Sequence, residues 1–154
     1  MSVSAGREAD TEMQVQLETP RRPIMLLTVS APIDDVAAAF AIESAVETRC
    51  PLIVCEAVLL TPDPGNQRPR TRGTQGDSCE AVARRAREHG VKVELAFFNN
   101  PRPVRAALIA ASDYGIGLLI FGPDPAFVSR FRYRRWRRQV QRDAPCLVWL
   151  PDSA

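Results

Sequence analysis

Short apolar runs alternate with stretches of helical periodicity from residue 24 to residue 150. That alternation constrains the fold more than any other feature of the chain. Ile24-Met-Leu-Leu-Thr-Val29 is nearly continuously apolar, as a strand covered on both faces is. Ser30-Ala-Pro32 breaks it, and Asp34 and Asp35 stand where acids suit a helix N-terminus. Ala38, Ala39, Ile42, Ala45 and Val46 follow at helical spacing. Cys50-Pro51 ends that helix, and residues 52–60 form a second buried run. Asp77-Ser-Cys-Glu80 has the form of a capping box, with Asp77 as cap. Cys79, Val82, Ala83 and Ala86 line the helix it opens, and His89-Gly90 closes it. Residues 91–97 begin with strict alternation against Lys92 and Glu94, the pattern of a half-exposed edge strand. Asn99-Asn100-Pro101 reads as a cap and first-turn proline before a helix lined by Val104, Ala107, Leu108 and Ala111. Residues 117–121 are a fourth buried run, 130–142 an arginine-rich helix, and 147–150 a fifth run.

The pattern is βαβαβαβαβ. It predicts an α/β fold: one domain with an open, parallel, five-stranded sheet and helices on both faces. Right-handed crossovers, an edge-like third strand and a central first strand select the order 3-2-1-4-5. Ligands of such sheets bind beyond the carboxyl ends of the strands at the switch point. Here that point lies between the first and fourth strands, at Ser30-Ala31-Pro32 and Gly122-Pro123-Asp124-Pro125. The domain is expected over residues 23–152, preceded by a flexible, polar tail over 1–22. A long mobile loop is expected over 61–76, with three Pro and three Arg (Arg68, Arg70 and Arg72).

Composition excludes several chemistries. A chain that is 45% hydrophobic and 25% charged is globular rather than disordered. One histidine, His89, rules out a multi-His metal site, and its place beside Gly90 fits a helix end rather than catalysis. Cys50, Cys55, Cys79 and Cys146 lack paired spacing, so mostly buried thiols are expected, with no disulfide framework and no metal. No apolar run reaches membrane-spanning length, and the first residues show no secretory pattern; a soluble cytoplasmic protein is the expectation. No Ser-His-acid grouping is evident, and Asp124 is the one carboxylate near the expected crevice, which argues against an enzyme.

Three stretches resemble the universal stress protein family. Residues 24–31 are similar to its first strand and turn. Asn100-Pro-Arg-Pro-Val-Arg-Ala-Ala-Leu-Ile-Ala-Ala with Gly117-Leu-Leu-Ile-Phe-Gly122 is similar to its third helix and fourth strand. Ala144-Pro-Cys-Leu-Val-Trp-Leu-Pro151 is similar to its ending. The resemblance implies the same 3-2-1-4-5 fold and a homodimer joined through the last strand, here Leu147, Val148, Trp149 and Leu150. It also implies a crevice at Ser30, Ala31, Ala57, Gly122, Pro123, Asp124, Arg134 and Arg135. Members that bind ATP carry an Asp after the first strand. After the fourth they carry Gly-x-x-Gly, nine residues, then Gly-Ser/Thr, whose amides surround phosphate.

This chain departs at nearly every matching position. Ser30 replaces the Asp, and Pro125, which has no N–H, replaces the second Gly. The final pair falls on Arg135-Trp136, or on Arg134-Arg135 when counted back from Ala144-Pro145. Only Gly122 remains, and a Gly suits any sharp strand-to-helix turn. The expectation is a non-enzymatic regulatory module with no cofactor and with ordinary ATP binding lost. The alternative is a rewired pocket in which Arg134 and Arg135 attract phosphate through guanidinium groups.

Residues 130–142 hold Arg130, Arg132, Arg134, Arg135, Arg137, Arg138 and Arg142 and no acid. The net charge of +2 is therefore +7 on this segment and −5 on the rest. Helical spacing puts Tyr133, Trp136 and Val140 on one face. The aromatics, Phe127 and Phe131 included, are expected to pack on the sheet beneath a solvated basic face. A denser reading of the same charge is a docking surface for nucleic acid, an anionic membrane surface or an acidic protein.

Overall fold

A computed structural model describes residues 21–60 and 74–151. Most of the expected tail, and residues 61–73 with Arg68, Arg70 and Arg72, lie outside the described residues. The elements are β1 (Ile24–Val29), α1 (Asp35–Thr48), β2 (Leu52–Leu59), α2 (Thr74–Glu88), β3 (Val93–Asn100), α3 (Pro103–Asp113) and β4 (Leu118–Phe121). A 3-10 turn (Pro125–Phe127), α4 (Arg130–Asp143) and β5 (Leu147–Trp149) complete the order. The sheet is parallel throughout, in the order β3-β2-β1-β4-β5, as the alternation predicts.

Side chains alternate across β1. Met25, Leu27 and Val29 face α3 and α4 with Ile53, Cys55, Ala57, Phe121, Tyr133, Trp136 and Val140. Ile24 and Leu26 face α1 and α2 with Ala37, Ala41, Val54, Val82 and Ile120. Every residue of β1 is buried, which is why its sequence lacks polar alternation. Each apolar side chain so buried contributes about 1.5–3 kcal/mol. The inner face of α1 is almost all alanine (Ala37, Ala38, Ala41, Ala45), so this helix lies close on the sheet.

Local signals are honoured at some ends and displaced at others. Asp34 caps α1, its carboxylate accepting the Ala37 N–H at 3.2 Å. Gly90, with φ 81, ends α2, as expected. Asp77, however, lies within the first turn of α2 rather than at its cap, because the helix begins at Thr74. Ala39 is only half-buried and Val46 is exposed, so the inner stripe of α1 runs through Ala37 and Ala41 instead. Asn99 and Asn100 are strand, paired with Val58 and Leu59. The Asn100 side chain accepts the Arg102 N–H at 2.8 Å, and Pro103, not Pro101, takes the first turn of α3. No helix among the described residues is long and apolar enough to cross a membrane.

Candidate functional site

The loops after β1 and β4 meet at the switch point and are joined there by backbone. Ile33 and Pro123 form an antiparallel bridge. The Asp34 N–H donates to the Gly122 carbonyl at 2.8 Å, and the Asp124 N–H to the Pro32 carbonyl at 2.9 Å. The Gly122 N–H donates back to Leu27 at 2.7 Å. Ser30 sits at φ 50, uncommon for a residue with a side chain. Two hydrogen bonds hold it there. Its N–H donates to the Ala57 carbonyl, and its hydroxyl accepts the Leu59 N–H, both at 2.9 Å. The Thr28 hydroxyl, fully buried, donates to the Ala31 carbonyl at 2.6 Å. The Ile33 N–H donates to the Ser78 hydroxyl at 2.9 Å, which ties this loop to α2 as well.

The residues named for the crevice are thus brought together, but as packing. Ala31, Ala57, Gly122 and Pro123 are all buried. A Cβ on Gly122 would stand 2.8 Å from the Leu26 Cδ1 atom and 3.4 Å from the Ala37 Cβ. Asp124 caps the 3-10 turn, its carboxylate accepting the Ala126 N–H at 3.0 Å. Arg134 and Arg135 are inside α4, which starts at Arg130 with Ser129 as cap. Backbone amides in a helix interior donate to the fourth carbonyl before them. The two side chains share the outer surface of α4, and each also reaches a different groove beside the helix. Arg134 lines a groove of about 1020 Å³ with Arg130, Arg137, Arg138, Tyr133 and Trp149. Arg135 lines another, of about 750 Å³, between α3 and α4.

Helix α4 presents two unlike faces. Tyr133, Trp136 and Val140 point inward, as their spacing predicts. Phe127 and Phe131 do not pack on the sheet as expected: they are 65% and 75% exposed. Phe131 is two residues before Tyr133, about 200° around the helix, so both cannot face the core. Arg142 pairs with Asp143 at 3.0 Å in the last turn. Arg137 is part-buried and donates to the Pro151 carbonyl at 3.3 Å. Arg130 and Arg132 occupy the first turn with no acid, where a cation opposes the helix dipole at a cost of about 0.3–1 kcal/mol each. Burial pushes the Tyr133 hydroxyl above its ordinary pKa, and the nearby Arg137 cation partly offsets this.

Other reactive side chains are placed for structure. Cys55 and Cys79 are buried, Cys50 and Cys146 half-buried, and all four are free thiols. Burial, then the neighbouring Glu56 carboxylate, raises Cys55 from 9.0 to about 12, and the same two causes raise Cys79. Such thiols carry almost no thiolate near neutrality and are poor nucleophiles. Glu56 itself escaped the sequence reading, which took residues 52–60 as one apolar run. It is 8% exposed, opposite Thr28 in register, and accepts a bond from the Cys79 thiol at 3.8 Å. A lone acid inside an apolar strand was the available signal. His89 is exposed at the end of α2, its Nδ1–H donating to the Arg85 carbonyl at 2.8 Å. Among the described residues no cluster of three or more His, Cys, Asp or Glu could hold a metal ion.

Solved structures share this architecture over most of its length. A universal stress protein from Archaeoglobus fulgidus superposes with a TM-score of 0.66 at 15% identity, over 88% of this chain and 97% of that one. The fold is that of the universal stress proteins. The Archaeoglobus fulgidus protein in complex with dAMP aligns at 0.64 and 17% identity, over 86% and 98% of the two chains. A universal stress protein family member from Arabidopsis thaliana with AMP bound aligns at 0.51 and 17%, over 84% and 90%. No family model matches the sequence, and no curated protein does. Likeness to the universal stress fold therefore rests on the path of the backbone.

Proposed function

We propose that this chain is a non-enzymatic regulatory or interaction module on the universal stress fold, one that has given up ordinary ATP binding. The observation that carries this reading is the bridge between Ile33 and Pro123, with its hydrogen bonds on either side. It ties the two loops together at the switch point, where open sheets of this kind take their ligands, and engages backbone groups of both. Proteins of this fold have been solved with dAMP and with AMP. Here the matching groups are otherwise engaged. The Ser30 hydroxyl holds Leu59, Pro125 has no N–H to offer, and Arg134 and Arg135 are helical. The non-enzymatic part draws on the structural placement of Asp124, which caps a turn, and of His89, which stands at a helix end. Titration of the full chain with a fluorescent ATP analogue and magnesium is expected to give no saturable binding in the micromolar range. A low-micromolar, magnesium-dependent complex would overturn the proposal.

The module is proposed to work as a homodimer joined along β5. Among the described residues this strand pairs only with β4, and Leu147 is 76% exposed beside its outer edge. Trp149 stacks on Phe40, with ring centroids 4.6 Å apart. Sedimentation velocity at tens of micromolar is expected to show a dimer, and Leu147→Asp to dissociate it. A monomeric parent chain under those conditions would remove this proposal.

A further inference from the structure

We infer that the outer face of α4 is a docking surface for single-stranded nucleic acid. Arg130, Arg134, Arg138 and Arg142 recur every four residues, about 6 Å apart along the axis, and form one gently spiralling ridge. The next row carries Phe131, Arg135 and Gln139, and the two rows together line one shallow depression. On the other side of the ridge, Arg130, Arg134 and Arg138 also wall the groove that runs toward Trp149 and Pro151. A ridge between two depressions gives a strand a track with cations along its length.

Three observations choose the partner. First, among the described residues only Arg142 of this helix has an ion-pair partner. The ridge also starts in a helix first turn that holds arginine where local stability favours acids. Positive potential kept against that preference matches a polyanion. Second, the apolar stripe of α4 is occupied by the core through Tyr133, Trp136 and Val140. The helix therefore cannot lie in a bilayer interface, which requires that stripe to be free. Third, Phe131 is 75% exposed among the arginines, and Phe127 is 65% exposed just before them. An exposed ring within a cationic track is a stacking platform, and unpaired bases present their faces to it as a duplex does not. No side chain here is arranged to read base edges, so sequence preference is weak.

The inference rests on the reading of the chain as an interaction module, and the ATP titration above tests that reading separately. The probe is a short fluorescein-labelled oligothymidylate, followed by anisotropy with the full chain. Binding is expected at low salt, with a log–log salt slope of about −3, from four phosphates at about 0.7 each. Arg134→Glu with Arg138→Glu is expected to weaken binding at least about ten-fold and to flatten the slope. Phe131→Ala is expected to weaken it about ten-fold with the slope unchanged, the signature of lost stacking. All three residues are exposed, so the variants keep the fold, and circular dichroism checks this. No binding at low salt overturns the inference. So does equal affinity for duplex DNA with no effect of Phe131→Ala, or binding to phosphatidylserine vesicles without binding to the strand.

Discussion

Gly122→Val is expected to destabilise the protein by about 3 kcal/mol, as overpacking a dense core does, and to lower its melting temperature by roughly 10 °C. The first atom of any side chain there would stand 2.8 Å from the Leu26 Cδ1 atom. Leu26 has no accessible surface, so that methyl cannot swing into solvent. The remaining room is bounded by the Ala37 Cβ and the Leu27 carbonyl, each at 3.4 Å. Two backbone bonds also run through this residue, to Leu27 and from Asp34, and a shift that relieved the crowding would stretch both. The same residue stands where the resemblance to universal stress proteins puts the first glycine of a phosphate motif, which makes the experiment discriminating. A glycine kept for phosphate would lose ligand affinity on substitution while the protein melted unchanged. A glycine kept for packing loses stability first. Thermal unfolding of Gly122→Val decides between them, and a melting temperature equal to the parent's would refute the packing account.

The strands were legible because their physics is local and repetitive. β1 is buried along its whole length, and a residue run can show that without knowledge of its neighbours. Helix ends were legible where one side chain does the capping, as at Asp34, and illegible where pairing with another strand decides. Asn99 and Asn100 look like cap residues, but Val58 and Leu59 on β2 offer them a ladder, and the extra pairing displaces α3 by two residues. The junction of the β1 and β4 loops is the extreme case. Its bonds run between backbone groups of Pro32, Asp34, Gly122 and Asp124, which any sequence possesses. In the sequence, Ser30 and Pro125 were the only departures at these two loops that pointed to a changed site. Glu56 shows the converse, where a side chain visible in the sequence was averaged away by the apolar residues around it.

On helix α4 the expected inward side chains Tyr133, Trp136 and Val140 are buried while Phe131 is not, and the second large prediction turns on that difference. Trp136→Ala is expected to destabilise by about 3–5 kcal/mol, while Phe131→Ala stays within about 0.5 kcal/mol of the parent. Trp136 is 7% exposed and sits in the core beneath α3 and α4 with Val140 and Tyr133, whose ring lies 5.4 Å from that of Phe121. Its removal leaves a cavity that a helix bearing seven arginines is poorly able to close. Any inward shift of α4 brings guanidinium groups toward apolar surface, and burying them carries a desolvation penalty. Phe131 touches no such constraint, so its loss removes exposed apolar area and little else. Chemical denaturation of the two variants checks the contrast. Comparable losses at both positions would mean that Phe131 packs against the fold, and the exposed ring on which strand stacking depends would not exist.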